Sequence, residues 1–224
     1  MNRRIKLLTI ADDISRCQFC EVAGLIPEAK PIFQLPVTAR IGIFSQAPGN
    51  KAHLKGLPFF DPSGVRLRSW LGVDETAFYE SGKFAIAPMA FCFPGYDGSG
   101  KTGKGGDKPP VSECAERWRT QLMAQLMPQL DLVLLIGQYA QRWHLPEQSH
   151  LSMTARVANW RAALGRPAPG EPILLPMPHP SWRNTAWLKK NPWFEDEFVP
   201  ELQARVRRAL QGSTQDLHQL DTTI

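Results

Sequence analysis

Four short apolar runs, separated along the chain by segments of helical pattern, constrain this fold most strongly. Each run is rich in Ile, Leu, Val, Phe or Ala and is too short to be a buried helix. Strands that alternate with helices form parallel sheets whose two faces are both covered. The pattern therefore predicts an α/β fold, a three-layer α/β/α sandwich around a central four-stranded parallel sheet. The predicted strands span residues 41–44, 83–87, 131–137 and 173–177.

Helical periodicity and Pro/Gly punctuation divide the rest of the chain. The length of 224 residues suits a single domain, which we expect over residues 1–210, followed by a flexible tail over 211–224. The first predicted helix carries a pair of cysteines, and the last is amphipathic. Helices are predicted over 7–21, 111–130, 153–164 and 192–210, and others begin after Pro62-Ser63-Gly64 and at Tyr139. Residues 73–81 are predicted as a helix or a turn.

The composition is that of a globular protein, with 43% hydrophobic and 21% charged residues. No apolar run approaches the length that crosses a bilayer, and no export signal follows the first residues. A cytoplasmic location without a membrane partner is therefore expected. A formal net charge of +5 permits an anionic partner such as nucleic acid, although ordinary solubility explains a mild positive charge slightly better.

The four cysteines form the second notable pattern. Cys17 and Cys20 are separated by two residues, and Cys92 and Cys114 follow much later. Without an export signal, two disulfides are not expected. A C-x-x-C pair can grip one metal centre from a single turn, and two later thiolates would complete a site for zinc or an iron–sulfur cluster. A redox pair at Cys17 and Cys20, or a set of unrelated buried thiols, are the alternatives.

Two loops follow the first and the last predicted strands. The first, residues 45–61, opens with a Pro/Gly turn that exposes backbone N–H groups. The second, residues 178–184, reads Pro-His-Pro-Ser-Trp-Arg-Asn. Open α/β sheets bind ligands at the carboxyl ends of their strands, so both loops are candidates for a ligand site.

A segment rich in Gly, Lys and Pro spans residues 95–110, and we expect it to be a mobile basic loop. Its GSGKTGKGG stretch superficially resembles a phosphate-binding loop. It lacks the spacing of that motif and follows no strand directly, so a nucleotide-triphosphate site is rejected. Lys101, Lys104 and Lys108 would suit a nucleic-acid backbone instead.

The order of these motifs resembles that of the uracil-DNA glycosylase superfamily, and most closely its iron–sulfur, family 4-like branch. In that branch a C-x-x-C pair precedes the first strand, which ends in a GEAPG turn followed by a G-x-P-F segment. A third cysteine ends the second strand, a fourth opens the next helix, and an HP-S/A motif closes the site. The counterparts here, over about residues 10–210, are Cys17 and Cys20, Ser45-Gln46-Ala47-Pro48-Gly49, Gly56-Leu57-Pro58-Phe59, Cys92, Cys114 and His179-Pro180-Ser181.

The resemblance implies an enzyme that holds an extruded base in a pocket. His179 would donate a hydrogen bond to the carbonyl oxygen of the departing base. Gln46 and Ala47 would form one wall of the pocket, and Phe59 would stack on the base. By the same resemblance, the four cysteines would hold a structural 4Fe–4S cluster, with zinc as the alternative.

The last loop and nearby cations would contact DNA in such an enzyme. Ser181 would bind the phosphate backbone, while Trp182 and Arg183 would fill the gap left by the flipped nucleotide or clamp its flanks. Asn184 is a further expected substrate contact. Additional candidate phosphate contacts are Arg66, Arg68, Lys189 and Lys190.

The chain departs from the family pattern at two places. Ala47 stands where the best-known members carry Asp or Asn to orient the hydrolytic water, as it also does in the iron–sulfur branch. The water would then be handled by Asn50, His53 or Asp61, and Asp61 is preferred because its D-x-S-G context resembles another branch. Pro88 stands where the family usually reads the uracil edge with Asn, and proline has no side-chain donor or acceptor.

We therefore expect a monomeric DNA glycosylase of base excision repair that acts on DNA containing a damaged base. It would hydrolyse the N-glycosidic bond of a deaminated base, uracil or a related one. A non-catalytic nucleic-acid-binding member of the same superfamily is the alternative that Pro88 suggests. An iron–sulfur redox protein is a second alternative, which explains the cysteines but not the two strand-end loops.

Overall fold

The computed structural model describes residues 2–98, 105–165 and 171–211. Its centre is a parallel sheet of β1 (Ile41–Phe44), β2 (Phe84–Ile86), β3 (Leu132–Ile136) and β4 (Ile173–Met177). The strand order is β2-β1-β3-β4. The predicted α/β fold with four parallel strands is confirmed. Each strand lies within one of the four apolar segments that were predicted to form strands.

Helices cover both faces of the sheet. They are α1 (Arg3–Ser15), α2 (Phe19–Val22), α3 (Asn50–Lys55), α4 (Pro62–Leu71), α5 (Glu75–Glu80), α6 (Ser112–Leu126), α7 (Gln138–His144), α8 (Met153–Ala158), α9 (Trp160–Ala163), α10 (Thr185–Lys190) and α11 (Val199–Gln211). Within the described ranges, no helix combines the length and apolar character that crossing a membrane would require.

The sheet is apolar on both faces because each face has its own core. Alternate residues of a strand point to opposite sides. Val133 and Leu135 therefore pack into one cluster with residues of α1 and α6, while Leu132 and Leu134 pack into another with residues of α4 and α11. This explains why the strands read as continuous apolar runs rather than as alternating ones.

The predicted helix over residues 7–21 is wrong in its second half. Helix α1 ends at Ser15, and Cys17 lies in the turn that separates it from the short α2, which carries Cys20. Phe19 and Val22 are exposed, so burial of their side chains does not support a continuous helix through this segment.

The last predicted helix, over residues 192–210, begins differently from the expectation. A π-helical turn over Phe194–Phe198 leads into α11. Two predicted segments lie outside the described residues: the flexible tail from residue 212 onward, and the centre of the basic loop, residues 99–104, which contains Lys101 and Lys104. The single domain over residues 1–210 stays a prediction.

Candidate active site

The loops that follow β1, β2 and β4 enclose a cavity at the carboxyl edge of the sheet. It holds about 400 Å³ of atom-free space, part of which opens to solvent. Five of the residues singled out from the sequence line it: Ala47, Phe59, Asp61, Pro88 and His179. Other parts of the lining come from Ile32, Ser45, Pro48, Gly49, Ala52, Pro58, Ser63 and Ile86. The strand-end loops therefore meet as the parallel sheet requires.

The turn after β1 is fastened to the segment after β2. The carbonyl oxygens of Ser45 and Gln46 accept hydrogen bonds from the N–H groups of Met89, at 2.8 Å, and Ala90, at 3.0 Å. This extends the pairing of the two strands beyond their ends. The wall that contains Ala47 and the wall that contains Pro88 are thereby held at a fixed separation.

Phe59 has a backbone φ of 56°, in the left-handed region that non-glycine residues rarely occupy. The conformation is maintained by the start of α4, where Gly64 lies directly against the Phe59 carbonyl group. Such conformations cost of order 1–3 kcal/mol and concentrate at ligand sites. Phe59 is half-buried, packs against the core on the α4 side of the sheet and is part of the cavity lining, where an aromatic residue can stack on a flat ligand.

Asp61 is the N-cap of α4. Its Oδ1 accepts a hydrogen bond of 2.8 Å from the Gly64 N–H, which fixes the carboxylate at the cavity wall. Among the described residues, none donates a hydrogen bond to the second oxygen, Oδ2. Asp61 therefore combines a rigid position with a free acceptor that a small polar molecule in the cavity can use.

His179 follows β4 by two residues and stands between two prolines. Burial lowers the pKa of its imidazole below the ordinary value of 6.5, and the negative charge of Asp61 opposes that shift. The ring is therefore neutral at pH 7 and can donate a single N–H into the cavity. The Asn184 side chain anchors this loop by donating a 2.7 Å hydrogen bond to the His179 carbonyl oxygen.

Of the described residues of the last loop, His179 alone lines the cavity, and Ser181, Trp182 and Arg183 are not part of the lining. Trp182 is 74% exposed, and the Arg183 guanidinium lies 5.8 Å from its ring centroid. The Ser181 hydroxyl accepts a 3.2 Å bond from the Arg183 N–H, so it supports the loop. Arg66 donates to the Ser181 carbonyl oxygen at 3.1 Å, so this arginine also braces the loop from α4.

One charged residue close to the cavity lining was not expected from the sequence. Asp107, in the basic loop, lies close to Gly49 and Arg183. Burial raises the pKa of its carboxyl group, and the charge of Arg183 opposes that shift. Asp107 lies in a segment dominated by Gly and Lys, and nothing in that sequence indicated that its carboxylate would lie near Gly49 and Arg183. The exposed Lys108 follows it, and the N–H of Lys108 bonds to the Gly95 carbonyl oxygen at 2.9 Å.

Other predicted site residues lie away from the cavity. His53 is buried, and its Nε2 lies 3.0 Å from a carboxylate oxygen of Glu28. Gln46 contributes its carbonyl group to the backbone pairing described above, and Asn50 begins α3; neither lines the cavity.

The prediction of Arg68 as a phosphate contact is wrong. Its side chain is buried and pairs with Glu75 at 3.1 Å. Lys189 and Lys190, at the end of α10, are exposed and so stay candidates for phosphate contacts.

The four cysteines converge on a second cavity of about 360 Å³ of atom-free space. All four are free thiols. Burial raises the pKa of Cys92 to about 11 and that of Cys114 to about 12, and the neighbouring cysteines add to both shifts. Within the described part of the chain, no group of three or more His, Cys, Asp or Glu residues is arranged to hold a single metal ion.

Comparison with protein families agrees with this geometry. The family model of the uracil DNA glycosylase superfamily matches residues 32–203, which is 172 of the 224 residues. The matched region contains all four described strands, both strand-end loops, Cys92 and Cys114, whereas Cys17 and Cys20 precede it. The match covers well over half of the chain and includes every residue that lines the strand-end cavity. The chain therefore belongs to the uracil-DNA glycosylase superfamily.

Proposed function

We propose that this protein is a DNA glycosylase that hydrolyses the N-glycosidic bond of a deaminated base in DNA, in base excision repair. The observation that supports this most directly is the convergence of Phe59, Asp61 and His179 on one cavity at the carboxyl edge of the sheet. An aromatic face, a fixed carboxylate and a neutral imidazole are the groups that extrusion and hydrolysis of a nucleotide require.

The chemistry assigns a separate task to each group. The extruded base stacks on Phe59, and the His179 N–H donates to its carbonyl oxygen, where negative charge develops as the C1′–N bond breaks. A water molecule held by Asp61 Oδ2 attacks C1′ and passes its proton to the carboxylate. The base leaves as an anion, and the sugar gains the hydroxyl group.

Base recognition would differ from that of the family pattern because of Pro88. This residue offers the cavity an apolar ring, and Ile32 and Ile86 lie beside it in the lining. The base would be recognised through the carbonyl group that faces His179 and through stacking, with little reading of its other edge. Uracil, hypoxanthine and xanthine all carry such a carbonyl group.

A base-release assay tests the proposal. Oligonucleotides containing uracil, hypoxanthine, xanthine or an undamaged base would be incubated with excess protein, single-stranded and in duplex. We expect release of at least one deaminated base and none of the undamaged ones. Intact DNA binding without release would support the non-catalytic alternative, and reversible cluster reduction without DNA binding would support the redox alternative.

Asp61→Asn is expected to slow base release about 100-fold while DNA affinity changes little. Asparagine is an equally good N-cap, so α4 should stay intact. The matched control is Asp74→Asn, since Asp74 caps α5 with the same bond, from the Ala77 N–H at 2.7 Å, away from the cavity. Single-turnover rates and thermal unfolding of both variants separate the two roles. Equal rates for the two variants would contradict the assignment of Asp61.

We also propose that the four cysteines hold a 4Fe–4S cluster. Their thiols line one cavity from three separate segments of the chain, the α1–α2 region, the segment after β2 and α6. A cluster attaches each thiolate to a different iron, so its ligands lie farther apart than those of one zinc ion. When bound, the cluster would tie the three segments together.

Cys92→Ser is expected to lose most of the iron and the brown colour and to lower the unfolding temperature. The control is Val111→Thr, which adds a hydroxyl group to the same cavity without removing a thiol. Iron and sulfide per chain, together with absorbance near 400 nm, measure the outcome. Purification of the wild type with about one zinc and no iron would contradict the cluster assignment.

A further inference from the structure

Helix α6 holds the segment after β2 at two points. Arg119 donates from one guanidinium nitrogen, Nη1, to the carbonyl oxygens of Ala87 at 2.8 Å and Pro88 at 3.2 Å. Farther along, the Sγ of Cys114 accepts a hydrogen bond of 3.5 Å from the Phe91 N–H. The same short segment thus forms a wall of the strand-end cavity at Pro88 and lines the cysteine cavity from residue 90 to residue 92.

Arg119 is unusual because its side chain is charged and fully enclosed. It is 1% exposed, and among the described residues it forms no ion pair with a carboxylate. Burial lowers its pKa to about 9. An unpaired buried charge is costly and is retained where its hydrogen bonds are needed.

The remaining donors of Arg119 fix its orientation. Its Nε and Nη2 lie 3.1 Å and 2.8 Å from His144 Nε2. Burial and the charge of Arg119 lower the pKa of His144 to about 3, so this imidazole is neutral and accepts through Nε2. The guanidinium also lies 4.3 Å from the ring centroid of Phe44, the last residue of β1. One side chain thereby joins the ends of β1 and β2 to helices α6 and α7.

We propose that Arg119 is a positioning residue for base release: its guanidinium holds the Ala87–Pro88 wall at the distance from the Ala47 turn that a flat base requires. The inference rests on the proposed glycosylase function. In this proposal Arg119 does not touch the base. It lies behind Pro88 and fixes the position of the wall that the base contacts. Pro88 has no N–H group and no polar side-chain atom. Its carbonyl oxygen is therefore the only group through which a hydrogen bond can hold it in place.

The test compares Arg119→Met with Arg156→Met. Arg156 is a matched control because it is 2% exposed and bonds to Gln141 and to the carbonyl oxygens of Gln148 and Leu151, away from the cavity lining. Both variants should lose stability. Local hydrogen exchange at Met89 and Ala90, single-turnover base release and DNA affinity would be measured under conditions where both variants are fully folded.

For Arg119→Met we expect exchange at Met89 and Ala90 to rise about 10-fold relative to the control, since their amides fasten the wall to the turn. Base release should fall about 10-fold with DNA affinity within about twofold, because a misplaced wall affects the reacting geometry more than binding. Arg119→Lys keeps the charge and a hydrogen-bond donor group but loses the forked guanidinium geometry, so it should give intermediate values. Should Arg119→Met not fold, Arg119→Lys and Arg156→Lys provide the same comparison.

Equal exchange and equal release rates in the Arg119 and Arg156 variants would overturn the inference. So would a fall in DNA affinity that accounts for the whole loss of rate. If the wild type releases no base, the proposed function fails, but the exchange measurement still decides whether Arg119 holds the wall.

Discussion

Replacing His179 with alanine is expected to slow base release about 100- to 1,000-fold while DNA affinity stays within about twofold. The imidazole is the neutral donor that faces the cavity, and its N–H would act only as negative charge develops on the departing base. Removing such a donor weakens the transition state more than the bound substrate. Single-turnover rates with saturating protein, and separate binding titrations on the same oligonucleotide, measure the two effects.

Two further variants make this result specific. His179→Gln keeps a side-chain N–H donor and should recover part of the lost rate. His53→Ala removes a histidine that was also predicted to act but that contacts Glu28 outside the cavity, so its release rate per folded molecule should equal that of the wild type. An unchanged rate in His179→Ala would remove this residue from the reaction. A large loss in His53→Ala would restore His53 as a candidate for handling the hydrolytic water.

The strands could be predicted from the sequence because their signal is local. The run 132–136 is apolar and buried at every position. A surface helix or an edge strand would show polar residues on one face, and so short an apolar run therefore indicates a central strand. The order of the strands, with β1 and β3 at the centre, depends on how the connecting helices cross the sheet. It could not be predicted from the residues of any single strand. The break in the first predicted helix after Ser15 was not expected either, because whether Phe19 and Val22 pack against the core, which they do not, depends on the tertiary structure.

The cavity residues Phe59, Asp61 and His179 were expected because the motifs that contain them resemble those of the superfamily. The loops that carry them follow β1 and β4, and a parallel sheet brings such loops together at one edge. Long polar side chains were harder, because their burial depends on tertiary packing. Arg68 was expected to contact phosphate, but its side chain is buried and pairs with the exposed Glu75. Arg119 lies on a helix with an evident apolar face and gave no reason to expect full enclosure.

The second large effect is expected from Gly64→Ala in α4. A Cβ atom at this position would lie 1.7 Å from the Phe59 carbonyl oxygen and 2.7 Å from its carbonyl carbon. Those are backbone atoms, so no side-chain rotation relieves the overlap, and the segment carrying Phe59 must move away from the helix. We expect a loss of about 3 kcal/mol or more in the free energy of unfolding, measured by urea titration.

The same displacement should reach the chemistry, because it moves the stacking face and the Asp61 cap together. The Asp61 carboxylate is fixed by the N–H of residue 64 itself, so base release per folded molecule should fall at least about 10-fold. Ser69→Ala, at an exposed position of the same helix, is the control and should change stability by less than about 0.5 kcal/mol. If Gly64→Ala kept both the stability and the release rate of the wild type, the close approach of α4 to Phe59 would not be what shapes the cavity, and the strained conformation of Phe59 would need another source.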